Sequence, residues 1–209
     1  MNVPCKICAK RRAKRFCPGV GGDICPVCCG TERENTIDCP LDCEHLMAAR
    51  EHEQLAPMTP DDVPNKDIRV SEDFVREHEP LVMWLTLALA RAMEKERAVD
   101  FDAREAVGAI IRTYRTRESG LIYETRPQNP YAAAIQTALQ EAIEELRKRL
   151  AQETGMHSLR DAEVLGALVF LERIELQHNN GRRRGRAFYD FLRSYFPQQT
   201  SAAPPAVTL

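Results

Sequence analysis

The chain has 209 residues, 44% of them hydrophobic and 29% charged, with 29 Lys/Arg against 31 Asp/Glu and a net charge of −2. Nothing in that balance marks a protein built to coat nucleic acid or to live in a membrane, and the length allows one or two domains. The longest mostly apolar run, Leu81 to Ala90, is about half of the roughly 20 residues that span a bilayer. The first residues carry Lys6, Lys10, Arg11 and Arg12 but no apolar stretch, so no secretory signal is expected. The predicted location is the cytoplasm, where thiols stay reduced.

All eight cysteines fall between Cys5 and Cys43. They are spaced as Cys5-x-x-Cys8, a single Cys17, Cys25-x-x-Cys28-Cys29 and Cys39-x-x-x-Cys43, with His45 two residues on. Two thiols separated by two residues can turn toward one ion, and two such pairs complete a tetrahedral shell. A disulfide framework would need export and would not account for these spacings. Residues 1–54 are therefore predicted to form a Cys-rich module that binds two Zn²⁺. Its few apolar side chains, among them Ile7, Phe16, Ile24, Ile37, Leu41 and Leu46, bury too little surface to fix so short a segment without metal. Cys17 to Cys25, with Gly19, Gly21 and Gly22, reads as a short hairpin. Glu44 to Gln54 reads as an exit helix.

Residues 55–70, with Pro57, Pro60 and Pro64, are predicted to be a linker. Residues 71–197 read as an all-α domain, a bundle of about five helices. Pro80 leads the first, which runs to about Arg97 and is apolar enough to be central. The second, 102–117, places Ala103, Ala106, Val107, Ile110, Ile111 and Tyr114 on one face and stops at Gly120. Asn129-Pro130 opens the third, which carries Ile135, Leu139, Ile143, Leu146 and Leu150 at helical spacing to about Gln152. Ser158 and Asp161 open the fourth, with Val164, Leu165, Leu168, Val169, Leu171 and Ile174, ending before Asn179-Asn180-Gly181. The fifth, about 186–196, holds Phe188, Phe191, Leu192, Tyr195 and Phe196. Leu121–Tyr123 is a candidate extended stretch, and 198–209 reads as a disordered tail.

Small two-zinc modules often interleave their ligands. On that pattern Cys5, Cys8, Cys25 and Cys28 hold one ion, and Cys17, Cys29, Cys39 and Cys43 the other, with His45 an alternative ligand. Cys28 and Cys29 are adjacent, so their side chains diverge and each can serve a different ion. A sequential arrangement that groups Cys5, Cys8, Cys17 and Cys25 also fits the spacings. Cys25-Pro26-Val27-Cys28 resembles a rubredoxin knuckle, which would suit iron, but four further ligands do not fit a single such iron. Both sites are closed by protein ligands and leave no position for an activated water.

The run ICPVCCGTERENTIDCPLDCEHLMAAR resembles the N-terminus of uncharacterised bacterial proteins that pair a Cys-rich zinc-finger-like module with a helical region. The segment NNGRRRGRAFYDFL is similar to their C-terminal part. The resemblance implies that two-part organisation and no known activity. More distantly, the ligand order resembles MYND, HIT-type and B-box fingers, which are mainly protein-interaction modules. Their last ligands commonly include His, whereas Cys39 and Cys43 fill that region here.

Two basic clusters stand out: Lys6 to Arg15, and Arg182, Arg183, Arg184 and Arg186. Either could grip phosphate. Equally, the first could offset thiolate charge at the metal sites, and the second could pair with acidic surfaces of the module or the bundle. Residues associated with catalysis lead nowhere. Glu175-x-x-His178 is half of a di-iron motif and reads as a solvated helix end. His52, His78 and His157 lack partners at ligand spacing, and no nucleophile elbow or phosphate loop is present. Trp84, Met83 and Met93 read as core. The sequence thus predicts a non-enzymatic zinc-binding adaptor with a protein partner and no membrane partner. The alternative is a nucleic-acid-binding regulator that uses the Arg182–Arg186 loop and residues 6–15.

Overall fold

A computed structural model describes residues 3–53, 59, 61–118, 120, 123–154 and 159–196. The disordered tail and most of the extended stretch expected at Leu121–Tyr123 lie outside the described residues. The fold is mainly helical, with a small antiparallel hairpin near the N-terminus. Strand β1 (Arg15–Cys17) pairs with β2 (Gly22–Ile24), Phe16 standing opposite Asp23. Gly21 takes a positive φ of 61° at the turn, a conformation that costs a glycine nothing. Two short helices follow, α1 (Pro26–Glu32) and α2 (Glu44–Arg50). The exit helix expected over Glu44–Gln54 is α2, while α1 has no counterpart in the sequence reading.

Five longer helices match the five expected: α4 (Glu79–Glu96), α5 (Asp100–Glu118), α6 (Pro130–Thr154), α7 (Asp161–His178) and α8 (Ala187–Tyr195). A further short helix, α3 (Glu72–Glu77), precedes them, its first turn capped by the Ser71 hydroxyl accepting from the Phe74 N–H. Helices α4 and α5 each pack against both α6 and α7, and α8 lies across α4, α5 and α7. Of the residues that the helical period assigned to the inside, Ile110, Leu139, Leu168 and Phe188 are fully buried, Leu150, Ile174 and Phe191 are partly buried, and Tyr195 is 62% exposed. Trp84 is buried and its indole N–H donates to the Ala142 carbonyl at 2.9 Å, tying α4 to α6. Gly166 of α7 admits the Phe74 ring of α3, which a Cβ there would meet at 2.4 Å.

Met93 is core as expected, but Met83 is 41% exposed. It sits on the wall of an apolar groove of about 560 Å³ between α3, α4, α7 and α8, with Val75, Phe170, Phe191 and Tyr195. Of the stretch 55–70, residues 64–68 are fixed to the helices. Arg173 donates to the carbonyls of Pro64, Asn65 and Ile68, and Asn65 donates to Glu172. No helix among the described residues is long and apolar enough to cross a membrane.

There are two hydrophobic clusters. The larger belongs to α4–α8. The smaller consists of Ile24, Ile37, Leu46 and six cysteines. Leu41 packs against both.

Candidate metal centre

The first quartet of sulfurs is assembled by two short turns. After Cys5 the chain bends back so that the Ala9 N–H reaches the Cys5 carbonyl at 2.8 Å, with Ala9 in the left-handed region at φ 53°. Cys25 occupies the N-cap of α1, and Pro26 follows inside the first turn, where its missing N–H costs nothing. The Cys28 N–H points at Cys25 Sγ at 3.4 Å, and the Cys25 N–H at Cys5 Sγ at 3.2 Å. Lys6 locks the first turn onto the hairpin by donating to the carbonyls of Val20 and Gly21, both at 2.9 Å.

The result is that the sulfurs of Cys5, Cys8, Cys25 and Cys28 all lie within 4.8 Å of one another. Sulfurs at the corners of a tetrahedron with metal–sulfur bonds of about 2.3 Å are roughly 3.8 Å apart, so a small contraction closes this set around one ion. The thiols differ sharply in acidity. Burial opposes ionisation of Cys5, but the N–H groups of Cys8, Cys25 and Ile7 outweigh it and bring the thiol down to about 6. Backbone N–H groups of Arg11 and Lys10 also lower Cys8. Cys28 is pushed up to about 12, first by burial and then by the neighbouring sulfurs of Cys25, Cys8 and Cys5. Four crowded sulfurs cannot all become anionic on their own; a divalent cation among them removes the repulsion. The donor set thus fits a metal, and it groups Cys5 and Cys8 with Cys25 and Cys28.

The remaining four cysteines converge elsewhere. Cys17 at the end of β1, Cys29 in α1, Cys39 in the following loop and Cys43 at the N-cap of α2 line one small cavity, together with His45. Burial raises the Cys39 thiol, and the charges of Glu34, Cys17 and Cys43 add to the effect. Arg15 approaches Cys29 Sγ at 3.7 Å. His45 places Nε2 3.5 Å from the Glu44 carboxylate. Among the described residues, the first quartet alone has every sulfur within 4.8 Å of the others. All eight cysteines are free thiols.

The arginine loop turns inward. Arg182 donates to the Arg33 carbonyl at 2.7 Å, and Arg186 to Asp38 at 2.9 Å and to the Cys39 carbonyl at 2.8 Å. Arg184 pairs with Asp38 at 3.6 Å and through its N–H with the Glu34 carbonyl at 2.7 Å. Arg183 and Arg184 are the members left exposed. At the centre sits Glu34, 1% exposed, with φ 50°. Its carboxylate accepts from Arg50 at 2.8 Å, from the Asn180 side chain at 2.8 Å and from the Arg186 N–H at 3.1 Å. Arg50 also pairs with Asp190 of α8. Nearby, the buried Asp100 carboxylate accepts the N–H groups of Phe188 and Tyr189 at 3.0 and 3.1 Å, capping α8. Burial pushes Asp100 up to about 7 although those two bonds pull it down.

The pairing of these arginines with acidic surfaces of the module or the bundle, one of the two readings of the sequence, is what the seam realises; the central place of Glu34, bonded to Asn180 and Arg50 from distant parts of the chain, was not foreseen. The Glu175-x-x-His178 pair needs correction as well. Glu175 is buried and bonded to Arg104 at 2.7 Å, and His178 stacks on Phe191 at 3.5 Å. Both are packing elements, not a solvated helix end, because α8 folds back over them.

Comparison with protein-family models, with curated proteins and with solved structures finds no match for this chain.

Proposed function

We propose that the N-terminal region is a two-zinc module and that the protein is a non-enzymatic adaptor, the module offering a rigid surface to a protein partner while the helices carry it. The observation that carries this reading is the closed quartet of Cys5, Cys8, Cys25 and Cys28. Four protein sulfurs fill a tetrahedral shell and leave no position for a reactive water, which is the pattern of a structural metal. Cys17, Cys29, Cys39 and Cys43 would hold the second ion, with His45 beside them as a substitute ligand. Their shared cavity supports that assignment. Each ion, when bound, supplies cross-links that hold the loops in place. The chain's own part is to bring the sulfurs together, to aim backbone N–H groups at them, and to anchor the whole through Glu34 and the arginine loop.

The engagement of Arg182, Arg184 and Arg186 with the module favours this reading over the nucleic-acid alternative, which asked those side chains to face a phosphate backbone. The test is elemental analysis of reduced protein together with capture of partners from the native host, with and without a chelator. Two zinc ions per chain and partners lost on chelation are expected. Fewer than one ion per folded chain, or partners indifferent to the metal, would refute it.

A further inference from the structure

The two basic clusters have opposite fates. Those of 182–186 are largely absorbed into the seam, but the side chains of Lys10, Arg11, Arg12 and Lys14 are exposed and make no hydrogen bond or ion pair among the described residues. Arg15 reaches Cys29 Sγ and Cys17 is buried with the second cysteine set, while the exposed Phe16 ring lies at the rim between that set's cavity and an open face beside β1. Phe16 is 62% exposed and Val3 51%. The Ala13 N–H bonds the Val3 carbonyl at 2.9 Å, which holds Val3 beside this face. Together Val3, Arg12, Ala13, Lys14, Arg15 and Phe16 line an open cleft, with Asp23 also on its wall.

We infer that this cleft is the contact surface of the module and that its partner is an extended, acidic protein segment with an apolar side chain between its carboxylates. The inference rests on the adaptor reading and gives the partner's chemistry. The unpaired side chains of Arg12 and Lys14, two residues apart in the segment leading into β1, match carboxylates on alternate residues of an extended peptide. Val3 and Phe16 supply the apolar seat between them. Asp23, opposite Phe16 in the ladder, turns away a continuous row of anions. A single-stranded nucleic acid fits less well: it needs a row of aromatic rings for successive bases, and Phe16 is the sole aromatic residue among the first 53.

The test uses zinc-loaded full-length protein and a fluorescent synthetic peptide of about ten residues, rich in Glu with a central Leu. Saturable binding is expected, weakened roughly tenfold by Arg12→Glu with Lys14→Glu and about fivefold by Phe16→Ser. The side chains changed are exposed, so helix content and metal stoichiometry should not move. The same peptide with Lys in place of Glu should not bind. Absence of saturable binding, or binding that the variants leave intact, overturns the inference. So does a short oligo(dT) that outcompetes the peptide and is lost in the same variants. A partner captured metal-dependently from the host, yet retained by Arg12→Glu with Lys14→Glu, would leave the adaptor standing and refute this cleft. Peptide binding that survives with no metal-dependent host partner would refute the adaptor alone.

Discussion

The two hydrophobic clusters of this molecule are built on different terms. The helical cluster is aliphatic and aromatic, drawn from five helices that bury the same side chains at every turn. The N-terminal cluster has only Ile24, Ile37 and Leu46 as fully aliphatic members, and its other buried residues are cysteines. Three such side chains contribute about 1.5–3 kcal/mol each on burial, far below the conformational entropy of ordering some fifty residues. The helical region can therefore be shaped by water's aversion to carbon, whereas the Cys-rich segment buries too little carbon for that, which is why coordination is proposed there. The comparison explains why helices are long and regular in the helical region, and short, with cysteines at their N-caps, in the Cys-rich segment.

That contrast can be broken most forcefully at the first quartet. Cys25→Ser removes a proposed ligand of the first ion while leaving a hydroxyl that can still cap α1; structural zinc contributes about 10–16 kcal/mol of apparent free energy. The module should unfold and bind one ion fewer by elemental analysis, while far-ultraviolet circular dichroism keeps most of its helical signal. A global collapse would mean that the helices depend on the metal too.

The seam comes next. Glu34→Ala leaves Arg50 and the Asn180 amide facing a buried space, and stranding a buried partner costs about 3–5 kcal/mol. Chelator-driven metal release should accelerate while the helices persist. Leu139→Ala probes the other cluster. Leu139 is fully buried, and such truncations cost about 2–5 kcal/mol. The urea midpoint should fall with no change in metal content.

A smaller effect concerns pH. Asp100 is held up to about 7 by burial, against an ordinary value of about 3.9 in the unfolded chain. The folded state then holds a proton that the unfolded state has already lost. Its contribution to stability declines as pH rises from about 4 to 7 and levels off above. Asp100→Asn removes that slope. Urea titrations at pH 5.5–7.5 should show the difference moving in the variant's favour by at most about 1.4 kcal/mol per pH unit. Smallest of all, Lys10→Ala and Arg11→Ala should stay within about 0.5 kcal/mol of the parent, since both are exposed and unpaired.

Much of this was legible in the order of residues. Apolar side chains recurring every three or four positions placed α4–α8 to within a few residues at their ends, because burying that stripe is what forms them. The spacing allowed Cys5 and Cys8 to join either Cys25 and Cys28 or Cys17 and Cys25, and the structure brings the sulfurs of the first of these sets together. Helices α1 and α3 went unread: at seven and six residues they are too short to show a period, and their caps, Cys25 and Ser71, give them their start. Met83 was misplaced because position on a helix does not reveal which stripe lacks a neighbour. That the arginine cluster could meet acidic surfaces of the module was legible, but Glu34 and Asn180 as the partners at its centre were not, since that depends on how two separately patterned segments dock.

Leu41, lodged against both clusters at once, carries a practical warning. Any attempt to dissect the chain near residues 54–60 would strip this wedge from the helices and the guanidinium contacts from the Cys-rich half. Each fragment would then bear a raw, sticky face. Recombinant halves are best produced together and studied as a reassembled pair, and aggregation of either in isolation would report on the missing half, not on faulty folding.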